Sequence, residues 1–259
     1  MNSQVSRAIV CPPAPNFAQG LTTVDLGVPD YELALDQHVH YCRALEECGL
    51  QLTCLPPDPQ YPDSTFVEDT AILTDQGAIL TRPGAASRSG EVEAIRSALE
   101  QFYDHLGAIE SPGTLDGGDI CEAGRRFLIG VSARTNEEGA SQLAHLLAQR
   151  SYTSACIDLR HTPEILHLKS GIAYIGDNRM VVIDALAENP ALAGYELVRV
   201  DAEEAYAANC IRVNDRILVA SGYPRLTTRL HEFGYTVVEL DMSEYRKMDG
   251  GLSCLSLRF

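Results

Sequence analysis

Cys254 follows Asp249, the double glycine Gly250-Gly251 and Ser253, in a tail where Leu255, Leu257 and Phe259 alternate with Ser256 and Arg258. The alternation predicts a strand over Leu252–Phe259 with one apolar face turned inward. The glycines let the backbone turn sharply and approach another segment. A thiol at the mouth of such a strand is a candidate nucleophile. Most free cysteines, however, are small buried hydrophobes.

A second stretch breaks the usual pattern. In Pro62-Asp63-Ser64-Thr65-Phe66-Val67-Glu68-Asp69-Thr70-Ala71-Ile72-Leu73, three acids flank and interrupt an apolar run. Read as a strand, it places Phe66 with Glu68 on one face and Val67 with Asp69 on the other. At least one acid then shares a face with apolar neighbours. Burying a carboxylate is costly unless it is paired or bonded. These acids therefore turn to solvent or converge on a cationic ligand.

Similar polar clusters recur: Asp116-Gly117-Gly118-Asp119, His167-Leu168-Lys169, Asn209, and Asp249 with Cys254. Their combined chemistry is specific. A thiolate is a strong nucleophile, favoured by a nearby imidazolium or a cationic substrate. A histidine can give a proton to a leaving group and then take one from water. Carboxylates can hold a planar guanidinium through paired charge-assisted bonds. Together they suit attack on an amidine-type carbon. A zinc site competes for the same residue types, but no two ligands have close metal-site spacing. No G-x-S-x-G elbow supports a serine hydrolase.

Each cluster precedes a hairpin pattern. Thr70–Leu73 and Ile79–Thr81 flank a turn at 75–77, and Asp119–Glu122 and Phe127–Gly130 flank Ala123-Gly124. Gly171–Ile175 and Met180–Ile183 flank Asp177-Asn178; Cys210–Val213 and Ile217–Ala220 flank Asn214-Asp215. Helical stretches lie between: Pro29-Asp30-Tyr31 opens one capped by Asp30, with Leu33, Val39 and Leu45 on its apolar side, ending near Gly49. Others run Glu91–His105, Asn136–Arg150 and Pro224–Phe233. His38 and His40, two apart on the first helix, face different sides and form no metal pair. Alternating strands and helices argue α/β. The units recur at about 40–50 residues, a period that marks repeat or propeller-like architectures. The tail would start a fifth unit completed from elsewhere in the chain. Pseudo-symmetric units would bring the clusters together near an axis. The chain reads as one domain, 1–259, of about five similar units.

Composition sets bounds. The 259 residues can bury a sizeable core, and 45% hydrophobic with 22% charged residues is ordinary for a globular protein. A net charge of −16 argues against nucleic acid or an anionic membrane, which need basic patches, and is compatible with a small cationic substrate. No run of about 18 apolar residues predicts a membrane span. Met1–Ala8 is polar and leads into a short Ile9-Val10-Cys11 strand, unlike a signal or transit peptide. The eight cysteines are scattered without a C-x-x-C pair and read as reduced thiols in a cytoplasmic protein.

At these residues the sequence resembles the dimethylarginine dimethylaminohydrolase family of the pentein, or guanidine-modifying, superfamily. The stretches that carry the likeness include Gly20-Leu21-Thr22, Pro62–Asp69, Thr81–Arg88, Gly113–Asp119, Ser132–Asn136, Leu166–Gly171, Tyr206–Cys210 and Tyr245–Phe259. The resemblance implies a five-bladed α/β propeller of ββαβ units around a central site. It implies hydrolysis of Nω,Nω-dimethylarginine and Nω-monomethylarginine to citrulline and an alkylamine. Cys254 matches the nucleophile that forms an S-alkylthiouronium intermediate, His167 the residue that protonates the amine and then activates water, and Asp116 the acid that orients His167 and the guanidinium. Asp69 and Asp249 would contact the guanidinium. Asp63 and the carbonyls of Leu21 and Met248 would hold the α-amine, Arg88 and Arg134 the α-carboxylate, and Glu68 would support its neighbours in binding substrate. No cofactor or metal is implied, with zinc a candidate inhibitor, and a homodimer is compatible. The alternatives are a sister enzyme (arginine deiminase, agmatine deiminase or an amidinotransferase) and a non-catalytic pentein that works by binding. Arginine deiminases usually carry an extra helical insertion for which this chain has no room.

Overall fold

The hairpin turns form where short polar residues and glycine permit them. In the computed structural model, which describes residues 4–259, Asp177 and Asn178 take φ of 51° and 61°, as a two-residue I′ turn demands and as Asp and Asn tolerate. Residues 1–3, at the start of the polar Met1–Ala8 stretch, lie outside the described residues.

Five three-stranded mixed sheets repeat along the chain. The chain opens with β1 (Arg7–Val10), α1 (Tyr31–Glu47) and β2 (Gln51–Cys54), in which β2 runs parallel to β1. The second unit is β3 (Ala71–Thr74), β4 (Gly77–Leu80), α2 (Val92–Leu99) and β5 (Leu106–Ala108); the third is β6 (Ile120–Ala123), β7 (Arg126–Val131), α3 (Glu137–Gln149) and β8 (Thr153–Asp158). The fourth contains β9 (Ile172–Gly176), β10 (Arg179–Ile183), α4 (Asp184–Ala187) and β11 (Glu196–Val200). The fifth contains β12 (Ile211–Val213), β13 (Arg216–Ala220), α5 (Pro224–Glu232) and β14 (Thr236–Leu240). In each, the first two strands pair antiparallel and the helix returns the third strand parallel to the middle one.

The last strand, β15 (Leu257–Arg258), pairs antiparallel with β1 and completes the sheet begun at the N-terminus. The N–H groups of Ser6 and Arg7 both donate to the Phe259 carbonyl, at 2.8 and 2.7 Å. The tail thus starts a unit finished by the other end of the chain, as its sequence suggested.

Two segments differ from their predicted strands in the same way. Val67–Thr70 and Leu252–Leu255 are single 3-10 turns. Leu252 and Leu255, three residues apart, are both fully buried, a spacing that a three-residue turn places on one side. Corresponding 3-10 turns precede the other inner strands at Gly117–Asp119, Leu168–Ser170 and Ala202–Ala208. Every polar cluster of the sequence sits on or beside one of these turns.

α1 begins where predicted, with Asp30 Oδ1 accepting the Leu33 N–H at 3.0 Å. Its inward face is Ala34, Gln37, His38, Tyr41, Ala44 and Leu45, the helical i, i+3, i+4, i+7 spacing. Leu33 and Val39 are exposed instead, because that face points away from the β1–β2 sheet. α2 stops at Leu99, short of the predicted His105, and buries Ile95 and Leu99. Among the described residues, no helix is long and apolar enough to cross a membrane.

Candidate active site

Cys254 stands on the 3-10 turn of the closing sheet, half-buried. Its turn is tied to its neighbours by side chains. The Ser253 N–H donates to Asn209 Oδ1 at 2.9 Å, and Asn209 Nδ2 donates back to Ser253 Oγ at 3.0 Å and to the Lys169 carbonyl at 2.9 Å. Ser253 Oγ in turn donates to Glu68 Oε2 at 2.7 Å, and Lys169 Nζ donates to Glu68 Oε1 at 2.6 Å. Four of the 3-10 turns are thereby bonded to one another beneath the thiol.

His167 caps the turn of its own unit and is 8% exposed. Its Nε2 lies 3.1 Å from Asp116 Oδ2, while Asp116 Oδ1 accepts the Gly84 N–H at 2.8 Å. Asp116 is fully buried. Asp119, behind it, accepts from the Leu168 N–H and the Ser132 hydroxyl, which fixes the backbone that carries His167. Glycine is required here: a Cβ on Gly118 would fall 2.8 Å from His167 Nδ1 and 2.9 Å from Asp69 Oδ1.

Asp69 is buried, with Oδ1 accepting the Gly118 N–H at 2.8 Å and Oδ2 accepting from Arg88 at 2.6 Å. Asp63 accepts the Leu21 N–H with both oxygens, at 3.1 and 3.2 Å. Asp249, at φ 56°, accepts from the N–H and hydroxyl of Thr23. These two acids therefore strap the 20–23 segment across the site.

A narrow cavity of about 30 Å³ joins the set. Cys254, His167, Asp63, Asp69 and Asp249 line it, with Leu21, Met248, Arg88 and Arg134. Asp116 stands behind His167. Glu68 faces the other way, into a larger channel of about 1000 Å³ between the inner strands, which it borders with Lys169 and Ser253. Glu68 thus supports the floor under Cys254 and does not line the cavity. Leu21 forms part of the cavity rim and is 41% exposed.

The electrostatics divide the two reactive groups. Burial pushes the Cys254 thiol up to about 12, and the Glu68 and Asp69 carboxylates add to the rise. Burial opposes charge on His167, yet Asp69, Asp119 and Asp116 hold its pKa up at about 9. Burial also opposes charge on Asp69, but Arg88 and His167 hold its pKa down at about 2. These shifts favour the neutral thiol at Cys254 and the protonated ring at His167, two groups on the walls of one cavity. A cationic substrate carbon, by attraction, would favour the thiolate. Asp69, Asp116 and His167 offer donor atoms within 4.8 Å of one another, a set that could hold a metal ion, although Arg88 and the imidazolium already supply positive charge there.

Several residues of the site gave little sign in the sequence. Glu91, whose carboxylate wraps Arg88, reads as a helix-start acid on the surface. Gly84 reads as a turn residue, and Thr23 as a loop hydroxyl. Only the position of Asn209 before its hairpin, matching Asp69 and His167 before theirs, pointed inward.

Five such ββαβ units with a cysteine, a histidine and acids on one cavity define the guanidine-modifying, pentein class of enzymes. The model of the arginine deiminase family matches residues 57–203. The N(G),N(G)-dimethylarginine dimethylaminohydrolase of Pseudomonas aeruginosa is 46% identical over 248 residues, 95% of this chain and 96% of its own. That of Streptomyces coelicolor is 31% identical over 97% of this chain and 96% of its own. A crystal structure of the P. aeruginosa enzyme, a cysteine-to-serine mutant complexed with citrulline, superposes with a TM-score of 0.96 at 44% identity, covering 99% of this chain and all of that one. The chain belongs to the dimethylarginine dimethylaminohydrolase family. The N-terminal domain of a cyanobacterial arginine dihydrolase has the same fold, with a TM-score of 0.84 at 19% identity.

Proposed function

We propose that the protein hydrolyses Nω,Nω-dimethyl-L-arginine, and Nω-monomethyl-L-arginine, to L-citrulline and dimethylamine or methylamine. The observation that carries this reading is that Cys254 and His167 share one acid-lined cavity, in a chain nearly half identical to an enzyme of that name.

On this reading Asp69 and Asp249 receive the guanidinium, whose positive charge lowers the Cys254 pKa. The thiol proton passes to solvent as the cationic guanidinium docks, and the thiolate Sγ then bonds to the guanidinium carbon while the C=N π pair moves onto nitrogen. The C–N bond to dimethylamine then breaks, and the imidazolium of His167, oriented by Asp116, protonates the departing amine. The remaining S-alkylthiouronium is attacked by water, with neutral His167 accepting the proton. The C–S bond breaks to give citrulline and regenerate Cys254. Asp63 with the Leu21 and Met248 carbonyls would hold the α-ammonium, and Arg88 and Arg134 the α-carboxylate. Arg134 supports that assignment: it borders the cavity, and its guanidinium has no hydrogen-bond or ion-pair partner among the described residues.

Cysteine and histidine supply nucleophile and proton transfer, so this mechanism requires no cofactor. Zn²⁺ would inhibit by capturing Cys254 and His167, and a chelator titration tests this. We read residues 1–259 as one catalytic domain in a reducing, cytoplasmic setting, which eight free cysteines support. A homodimer is compatible with that reading, and sedimentation would test it.

The decisive assay is product analysis with dimethylarginine, monomethylarginine and arginine. Citrulline with dimethylamine is expected. Faster release of ammonia from arginine would instead favour the deiminase reading.

A further inference from the structure

The five donors of Arg88 are unevenly shared. Nε–H points at Glu91, 3.1 Å from both carboxylate oxygens, and one NH2 proton goes to Glu91 Oε2 at 2.8 Å. The other NH2 proton is shared by the Phe66 carbonyl at 3.1 Å and the Asp63 carbonyl at 3.4 Å. One NH1 proton goes to Asp69 at 2.6 Å. With two protons on that nitrogen, one NH1–H has no protein partner among the described residues. Arg88 borders the same cavity as Arg134. One spare Arg88 N–H and a free guanidinium are thus available to a single planar anion.

We infer that Glu91 is a specificity-determining positioning residue: by taking the Nε–NH2 edge of Arg88 it turns the NH1 edge toward the cavity, where it reads the α-carboxylate of the substrate. This rests on the reading that Arg88 and Arg134 bind that carboxylate. Glu91 is built for the task at a cost. It occupies the N-cap position of α2 but makes no capping bond, although an N-cap side chain ordinarily serves the free N–H groups of the first turn. It is 5% exposed, and burial pushes its carboxyl up to about 7 even with Arg88 pulling it back. An acid serving only the helix dipole would turn to solvent and avoid that penalty. The adjoining Gly90 keeps the approach tight, since a Cβ there would meet the Tyr61 hydroxyl oxygen at 1.8 Å. A planar guanidinium gripped on one edge is pre-organised on the other, which a lysine at position 88 could not be.

The test compares dimethylarginine with the same molecule lacking its carboxylate, dimethylagmatine, on wild type and Glu91→Gln. The ratio of their kcat/KM values should fall by about tenfold or more in the variant, the scale of one charge-assisted hydrogen bond, with the loss carried by KM for dimethylarginine. Equal losses for both substrates would overturn the proposal and leave Glu91 a support for Asp69. A strong wild-type preference for the carboxylated molecule that survives Glu91→Gln would sink this proposal alone. A wild type without that preference, insensitive to Arg134→Gln, would sink the carboxylate reading and the proposal with it. Should Glu91→Gln not fold, Glu91→Asp carries the same comparison, since it keeps the charge but falls one methylene short of the guanidinium edge; an unaltered ratio there is equally fatal.

Discussion

One carboxylate of Asp116 links His167 to Gly84: Oδ2 lies 3.1 Å from the imidazole Nε2 and Oδ1 accepts the Gly84 N–H at 2.8 Å. Gly84 packs against the backbone of Arg134. The acid that would orient the proton donor on the proposed mechanism is therefore held by the segment that also abuts a candidate carboxylate-binding arginine. The imidazole ring is fixed through two units at once.

Asp116→Asn should remove a charge that holds the His167 pKa up at about 9. The basic limb of kcat/KM would move to lower pH, and kcat would drop by roughly 10²–10⁴, the usual worth of a positioned general acid–base. A pH–rate profile of the variant checks both. An unshifted limb would assign it to another group.

The same histidine sets a sign for stability. Its pKa is raised in the fold from 6.5 to about 9, so the folded state binds the proton more tightly than the unfolded chain. The stabilisation is fully present below about 6.5 and is lost as pH rises through about 9. Urea titrations at a series of pH values, comparing wild type with His167→Asn, should show a gap in this linked contribution that closes toward high pH.

Because burial leaves Cys254 a thiol at rest, iodoacetamide should alkylate it slowly at neutral pH, in contrast to an activated cysteine. Cys254→Ser should abolish citrulline formation while calorimetry still detects dimethylarginine binding. Mass spectrometry of wild type quenched during turnover should find a covalent adduct on Cys254. Undiminished turnover in the serine variant would remove it from the nucleophile role.

Gly84→Ala tests the link between units. A Cβ there would lie 2.2 Å from the Arg134 carbonyl oxygen and 2.6 Å from its Cα, and backbone cannot swing aside as a side-chain tip can. A loss of about 1–3 kcal/mol is expected from the overpacking, with kcat/KM falling as Asp116 and Arg134 shift. Denaturant titration and steady-state kinetics measure the two effects separately.

Asn209→Ala should leave the buried Ser253 N–H without its acceptor, at a cost of about 1–3 kcal/mol. With the floor under Cys254 loosened, kcat should fall more than KM rises. A variant as stable and active as wild type would show that the neighbouring turns hold Cys254 unaided.

Local signals carried much of the fold. Asp30 before Tyr31 marks a cap whatever lies beyond it, and Asp177-Asn178 marks a two-residue turn because both residues tolerate positive φ. The alternation in Leu252–Phe259 misled for an equally local reason. Leu255, Leu257 and Phe259 alternate as a strand would, but Leu252, three residues before Leu255, is out of that phase and fits a turn of three that buries both. The outer face of α1 misled similarly, since Leu33 and Val39 are apolar yet lie on the side that no sheet covers.

The sequence by itself determined the repeat, the hairpins and the residue types on which the chemistry rests, since each depends on near neighbours along the chain. Its likeness to a family matched Cys254, His167 and Asp116 to roles. Which way each acid points was decided only in three dimensions. Glu68 and Asp69 are adjacent, yet one faces the floor with Lys169 and Ser253 and the other the cavity with Arg88. A strand would also have separated the two; what only the tertiary structure supplied was the partner on each side, Lys169 and Ser253 for Glu68 and Arg88 for Asp69, with Ser253 brought in by the turn just before β15 closes the first sheet. Partners so distant in sequence meet only once the two ends of the chain have paired.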